Sequence, residues 1–180
     1  MPSTSAHSKK KKRFFGLVNR ASGKEGESRA GKDHAVMDVS RITDQIYVGT
    51  NACCQMHYAT LLVRRGITHD LSLEGERVDA PYGVDSYLWL PTPDHTAPTN
   101  MSFRLGLNYI DTAIRNGGKV FIHCTNGHGR APTMAAAWFV KEGMGVDDAI
   151  SILREGRPEI HIEPAQRRAL VWCKKTFQKL

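Results

Sequence analysis

No apolar run in this 180-residue chain approaches the roughly 20 residues that a membrane-spanning helix needs. Cysteine is scarce. There are four, Cys53, Cys54, Cys124 and Cys173, with no zinc-ligand spacing, and the adjacent pair makes an awkward disulfide. A disulfide scaffold and a zinc module are therefore excluded, and Cys53, Cys54 and Cys173 read as reduced, partly buried thiols. Acidic residues are few only at one end. Residues 1–36 hold nine Lys/Arg against three acids, whereas the remainder holds 16 against 15. The net charge of +7 thus belongs mostly to the N-terminal stretch, and the rest is almost neutral.

That stretch also lacks apolar periodicity. Residues 1–36 therefore read as a basic, disordered tail, and 37–180 as one domain whose folded part starts near Ile42. The apolar part of the tail, Phe14 to Val18, is too short for a secretory signal, and Glu25 and Glu27 spoil the acid-poor pattern of a transit peptide. The unbroken run Lys9 to Arg13 suits nucleic acid, an anionic membrane or a targeting receptor, with simple solvation as the plain alternative. The expected address is the cytoplasm, with nuclear entry through residues 9–13 as the variant.

Short apolar runs alternate with helical patterns in the domain. Ile46-Tyr47-Val48, Ile67 to Leu71, Tyr87 to Leu90 and Val120-Phe121-Ile122 read as strands, the first ending at Gly49 and the third cut off by Pro91. Helices are expected over 53–65 with a stop at Gly66, along Phe103-Leu107-Ile110-Ile114, over Ala131 to Val140, along Val146-Ala149-Ile150-Leu153, and from Pro164 through Leu170, Cys173, Phe177 and Leu180. The expected fold is α/β, a central and mostly parallel sheet of four to five strands flanked by helices.

The most informative stretch joins the last strand to the Ala-rich helix: His123-Cys124-Thr125-Asn126-Gly127-His128-Gly129-Arg130. A strand-to-helix loop of this kind suits a phosphate dianion. Its backbone N–H groups can turn inward, and the helix N-terminus adds about half a positive charge. Gly127 and Gly129 allow positive φ and leave room for the anion. Arg130 supplies a planar fork for two phosphate oxygens. The same field favours the thiolate of Cys124, the nucleophilic form. Residues 125–130 are therefore the expected phosphate site. A buried structural cysteine beside a Gly-rich turn is the bland alternative.

His123 to Arg130 resembles the HCxxGxxR loop of the cysteine-dependent protein tyrosine and dual-specificity phosphatases, and the likeness runs over about residues 41 to 178. The resemblance implies an α/β fold of the same kind, no metal and no cofactor, and a cysteinyl-phosphate intermediate on Cys124. It implies that Arg130 binds the phosphoryl group and that His123 helps set the loop and thiolate. It also implies a general acid on a separate loop. Pro91-Thr92-Pro93-Asp94-His95-Thr96-Ala97-Pro98 supplies that loop, stiffened by three prolines, and Asp94 is the expected acid. Alone, Asp94 would pass for a turn aspartate. His95 and His128 read as exposed lip residues, although His128 could attract an anion. Asp111, inside a helix, and Asp70, after a strand, are weaker candidates for the acid.

Besides the unusual His128, two positions depart from the family pattern. Ala131 stands where many members carry Ser or Thr, whose hydroxyl helps the thiolate leave, so slow hydrolysis of the intermediate is expected. Asn126 stands where Ala is common and should be tolerated. No segment is evident that would build a deep phosphotyrosine pocket. The expected substrates are therefore phosphotyrosine and phosphoserine/threonine on proteins. Phosphoglucan, phospholipid and RNA 5′-phosphates are the alternatives within the superfamily, and a phosphate-binding module without turnover is the alternative outside it.

Overall fold

The computed structural model describes residues 37–51, 61–78 and 81–178. The tail over 1–36, Cys53, Cys54, Leu180 and most of the helix expected over 53–65 lie outside the described residues. What remains of that helix is Leu61-Leu62 and the 3-10 turn Val63–Arg65, closed by Gly66 at φ 71°.

Five strands form one sheet in the order β1-β2-β5-β3-β4: β1 Val39–Arg41, β2 Ile46–Thr50, β3 His69–Glu74, β4 Ser86–Thr92 and β5 Val120–Cys124. Only β1 runs antiparallel to its neighbour. The expected α/β architecture is present. β1 lies before Ile42, where folding was expected to start. A three-residue strand carries too little pattern to be read locally.

Two strand ends differ from expectation. β2 passes through Gly49 to Thr50, and β4 passes through Pro91 to Thr92. Proline is tolerated there because β4 is an edge strand and its register with β3 shifts between Ser72 and Glu74.

Among the described residues there are four α-helices: α1 Asn100–Arg115, α2 Arg130–Lys141, α3 Val146–Gly156 and α4 Pro164–Phe177. Thr99 caps α1 by accepting from Ser102 N at 3.1 Å. In α4, Glu163 and Gln166 make a capping box, and Pro164 fits the first turn, where its missing N–H costs nothing. The helices cover the face of the sheet that carries Ile46, Val48, Leu71, Leu73, Val120 and Ile122. α2 is buried from Arg130 to Val140 because β5 lies beneath it and α1, α3 and α4 pack around it. On the opposite face Tyr47 and Phe121 pack with Met37, Leu62 and Ile67.

Candidate active site

β5 ends at Cys124, which is buried, and α2 begins at Arg130. Residues 125–129 make the turn between them. Every carbonyl of that turn is taken up by a donor from the protein around it. Thr125 O accepts from Asn51 N at 3.3 Å, Asn126 O and Gly127 O from Arg157 Nη2 and Nε at 3.2 and 2.9 Å, His128 O from His161 N at 2.8 Å, and Gly129 O from Thr133 N at 2.9 Å. A loop whose carbonyls are turned outward presents its N–H edge to the centre, which is the form of an anion cradle.

Arg157 is central to this arrangement and has no signature in the sequence. It is buried, and its remaining nitrogen donates to Asp38 Oδ2 at 2.8 Å and Ser40 Oγ at 3.2 Å. One guanidinium thus joins the start of the domain to the two central peptides of the loop.

The two glycines act differently. Gly127 has φ 67°, and a Cβ there would lie 2.5 Å from Gly49 O. Gly129 does not take the positive φ expected of it; its φ is −121°. Its requirement is for space, since a Cβ would stand 3.0 Å from Gln166 Nε2.

Arg130 is buried and held on one side. Its Nη1 donates to Glu76 Oε1 and Oε2 at 3.0 and 2.9 Å and to Thr92 O at 2.9 Å. Nη2 donates to Thr125 Oγ1 at 3.0 Å and lies 3.3 Å from Asp94 Oδ1. Nε makes no hydrogen bond. The Nε–Nη2 edge is therefore the one available for two oxygens of a phosphoryl group. Burial works against the guanidinium charge, but the hydrogen bond to Glu76 and the charges of Cys124, Asp94 and Glu76 raise its pKa above the ordinary value. For Glu76, slight burial pushes upward; the hydrogen bond to Arg130, the group's own backbone and the arginine's charge outweigh it and lower the pKa.

Asp94 sits on the same rim with its side chain half exposed. It follows β4, in a turn closed by Thr96 N and Thr96 Oγ1 donating to Pro93 O at 3.2 and 2.7 Å. His95 in that turn has φ 58°, unusual for a residue with a Cβ. The structure thus brings Cys124, Arg130 and Asp94 to one edge of the sheet, with Thr125, Asn126, His95 and His128 exposed around them.

His123 lies on the other face of β5, fully buried, with Nε2 3.1 Å from Asp70 Oδ1 and its ring stacked on Phe121 at 5.1 Å. Asp70 is inside β3 rather than after it, and it faces His123 rather than the rim. Asp111 links helices: its carboxylate accepts from Trp138 Nε1 at 2.9 Å and from Lys141 Nζ. Ala131 is buried at the first turn of α2, and the hydroxyl of Thr133 donates to Gly129 O at 2.7 Å. Cys173 is a free, buried thiol whose pKa burial raises to about 12. Among the described residues no group of three or more His, Cys, Asp or Glu converges as metal ligands would, and no helix is long and apolar enough to cross a membrane.

Sequence reasoning missed Glu76, Arg157 and Gln166, and it ranked Asp70 only as a lesser acid. Each is a single polar residue outside any local motif, and its partner is 54, 30, 70 or 53 positions away.

This rim, on a mostly parallel five-stranded sheet, is that of a cysteine-dependent phosphatase domain. The family model for the dual specificity phosphatase catalytic domain matches residues 46–176, and the chain belongs to that family. Dual specificity protein phosphatase 1B of Arabidopsis thaliana is 27% identical over 144 residues, 78% of this chain and 84% of that protein. Human dual specificity protein phosphatase 5 is 39% identical over 56 residues, 31% of this chain, so the matched stretch spans only 15% of that protein. Among solved structures, PTPMT1 in complex with PI(5)P has the same fold, with a TM-score of 0.72 at 21% identity over 78% of this chain and 97% of that one.

Proposed function

We propose that this protein hydrolyses phosphate monoesters on phosphorylated proteins, accepting phosphotyrosine and phosphoserine/threonine, through a cysteinyl-phosphate intermediate. The observation that carries the reading is the 3.3 Å approach of Asp94 to Arg130 beside Cys124. A carboxylate next to the phosphate-binding fork stands where a leaving oxygen needs a proton. In the first step the Cys124 sulfur attacks phosphorus, the bond to the leaving oxygen breaks, and Asp94 protonates that oxygen. In the second step Asp94 takes a proton from water, the water oxygen attacks phosphorus, and the S–P bond breaks to return the thiolate and release inorganic phosphate. Arg130 and the loop N–H groups stabilise the transferring phosphoryl in both steps. The exposed rim around Cys124 favours protein substrates of both kinds, because the shorter phosphoserine side chain needs a shallow approach. A working thiolate suits a reducing compartment, and the cytoplasm is the proposed location.

The test is phosphate release in EDTA by the wild type and by Cys124→Ser, over phosphotyrosine and phosphoserine/threonine peptides, phosphoinositides, phosphoglucan and 5′-triphosphate RNA. The expected result is release from both peptide classes, lost in the variant. Faster release from one of the other substrates would reassign the substrate class. Tight phosphopeptide binding without release would make the protein a binding module. With Ala131 at the helix start and the Thr133 hydroxyl bound to Gly129 O, a burst of leaving group ahead of a slower steady state is expected. Ala131→Ser should raise the steady rate, and a progress curve linear from the first turnover would contradict slow hydrolysis.

A further inference from the structure

The turn that carries Asp94 is fastened on two sides. Toward the rim, Arg130 Nη1 donates to Thr92 O at 2.9 Å. Behind it, the side chain of Gln166 reaches over from α4, and its Nε2 donates to Thr96 O at 3.0 Å. Thr92 and Thr96 bracket Asp94, and the turn between them holds His95 at φ 58°. Such a conformation costs free energy and persists only where the surroundings impose it.

Gln166 is well placed to impose it. It is buried, and its Oε1 accepts from Glu163 N at 2.9 Å, which fixes which end of the amide faces Thr96. Gly129 leaves it room, since any Cβ there would press on the same amide. One side chain thus touches all three segments of the rim: the acid turn, the phosphate loop and the start of α4. The remaining link behind the turn, His95 Nδ1 to Glu163 Oε1 at 3.4 Å, is solvent-exposed and contributes little.

We infer that Gln166 is a positioning residue for general acid catalysis, holding the Asp94 turn so that its carboxyl reaches the leaving oxygen. This rests on the reading of Asp94 as the acid. Its consequence is selective. A leaving group that departs without a proton does not need Asp94 in place, whereas a poor one does.

The experiment measures kcat/KM on a series of aryl phosphates, from a nitro-activated phenol to unsubstituted phenol, for the wild type, Gln166→Leu, Gln166→Glu, Asp94→Asn and the double variant Gln166→Leu/Asp94→Asn. Gln166→Glu keeps an acceptor for Glu163 N and replaces the donor to Thr96 O by a carboxylate oxygen that repels it. Both Gln166 variants are expected to lose about 10- to 100-fold on phenyl phosphate and less than about threefold on the activated ester, within the range general acids supply. In the double variant the losses should fall well short of additive. An equal loss on all esters by both Gln166 variants, including any loss through misfolding, would overturn the inference and leave Gln166 a structural strut. If Asp94→Asn itself shows no leaving-group dependence, the reading of Asp94 fails, and the inference fails with it. If Asp94→Asn is selective and the Gln166 variants are not, only the inference fails.

Discussion

The two faces of the sheet are buried alike, but one is wholly apolar and the other mixes apolar with polar side chains. Toward the helices point Ile46, Val48, Leu71, Leu73, Val120 and Ile122. The alternate positions of the same strands put Asp70, Ser72, Glu74 and His123 on the other face, beside Tyr47 and Phe121. Burying polar groups costs free energy unless each finds a partner. Here they do: His123 meets Asp70, and the Glu74 carboxylate accepts from Asn51 Nδ2. Asn51 N also holds the phosphate loop through Thr125 O. The comparison separates two tasks within single strands. One face supplies stability, and the other fixes the direction in which the strand end points.

Substitutions on the two faces therefore fail differently. The largest effect is expected from Leu71→Ala, which removes core packing and should cost about 2–5 kcal/mol in urea denaturation while the molecules still folded keep their kcat. Asp70→Asn on the opposite face should lower kcat by up to about 10²-fold through a misplaced His123 and loop, out of proportion to its change in Tm. Equal ratios of activity loss to stability loss for the two variants would erase the distinction.

The helical layer and the rim should also fail at opposite ends of the pH scale. Tyr109 on α1 and Cys173 on α4 are both raised to about 12, chiefly by burial. For such acids the folded state favours the neutral form. Stability is therefore full below the ordinary values of 10.0 and 9.0 and falls as pH climbs from there toward 12. Tyr109→Phe should blunt the alkaline fall in Tm. Glu76 at the rim has the opposite sign. Its pKa is lowered, so its contribution is present above 4.5 and lost as pH drops through the folded value. Glu76→Gln should flatten that acid limb. This is the smallest effect, because the carboxylate is half exposed and screened by water.

Much of this was legible in the sequence, for a physical reason. Val120-Phe121-Ile122 and the apolar stripe of α1 are local patterns, and burial enforces them. The span from Cys124 to Arg130 is equally local, and with Asp94 it marked out the rim. What could not be read is what crosses the chain. Glu76 reaches Arg130, Arg157 reaches Gly127, and Gln166 reaches Thr96 by single polar side chains whose partners are chosen by the fold. Pro91 misled for a related reason. It stops a strand in general, but at the irregular edge of this sheet it has no such effect.

The outward-tied carbonyls of residues 125–129 have a consequence for turnover. A loop already fastened by Asn51, Arg157, His161 and Thr133 keeps its shape whether or not an anion is bound. Little reorganisation then opposes the binding of a tetrahedral dianion. On the proposed function such a cradle would contact the phosphoryl group rather than what it is attached to, so the hydrolysis product would fit it much as the ester does. Inorganic phosphate should therefore act as a competitive inhibitor, raising KM for the ester in steady-state assays and leaving kcat unchanged.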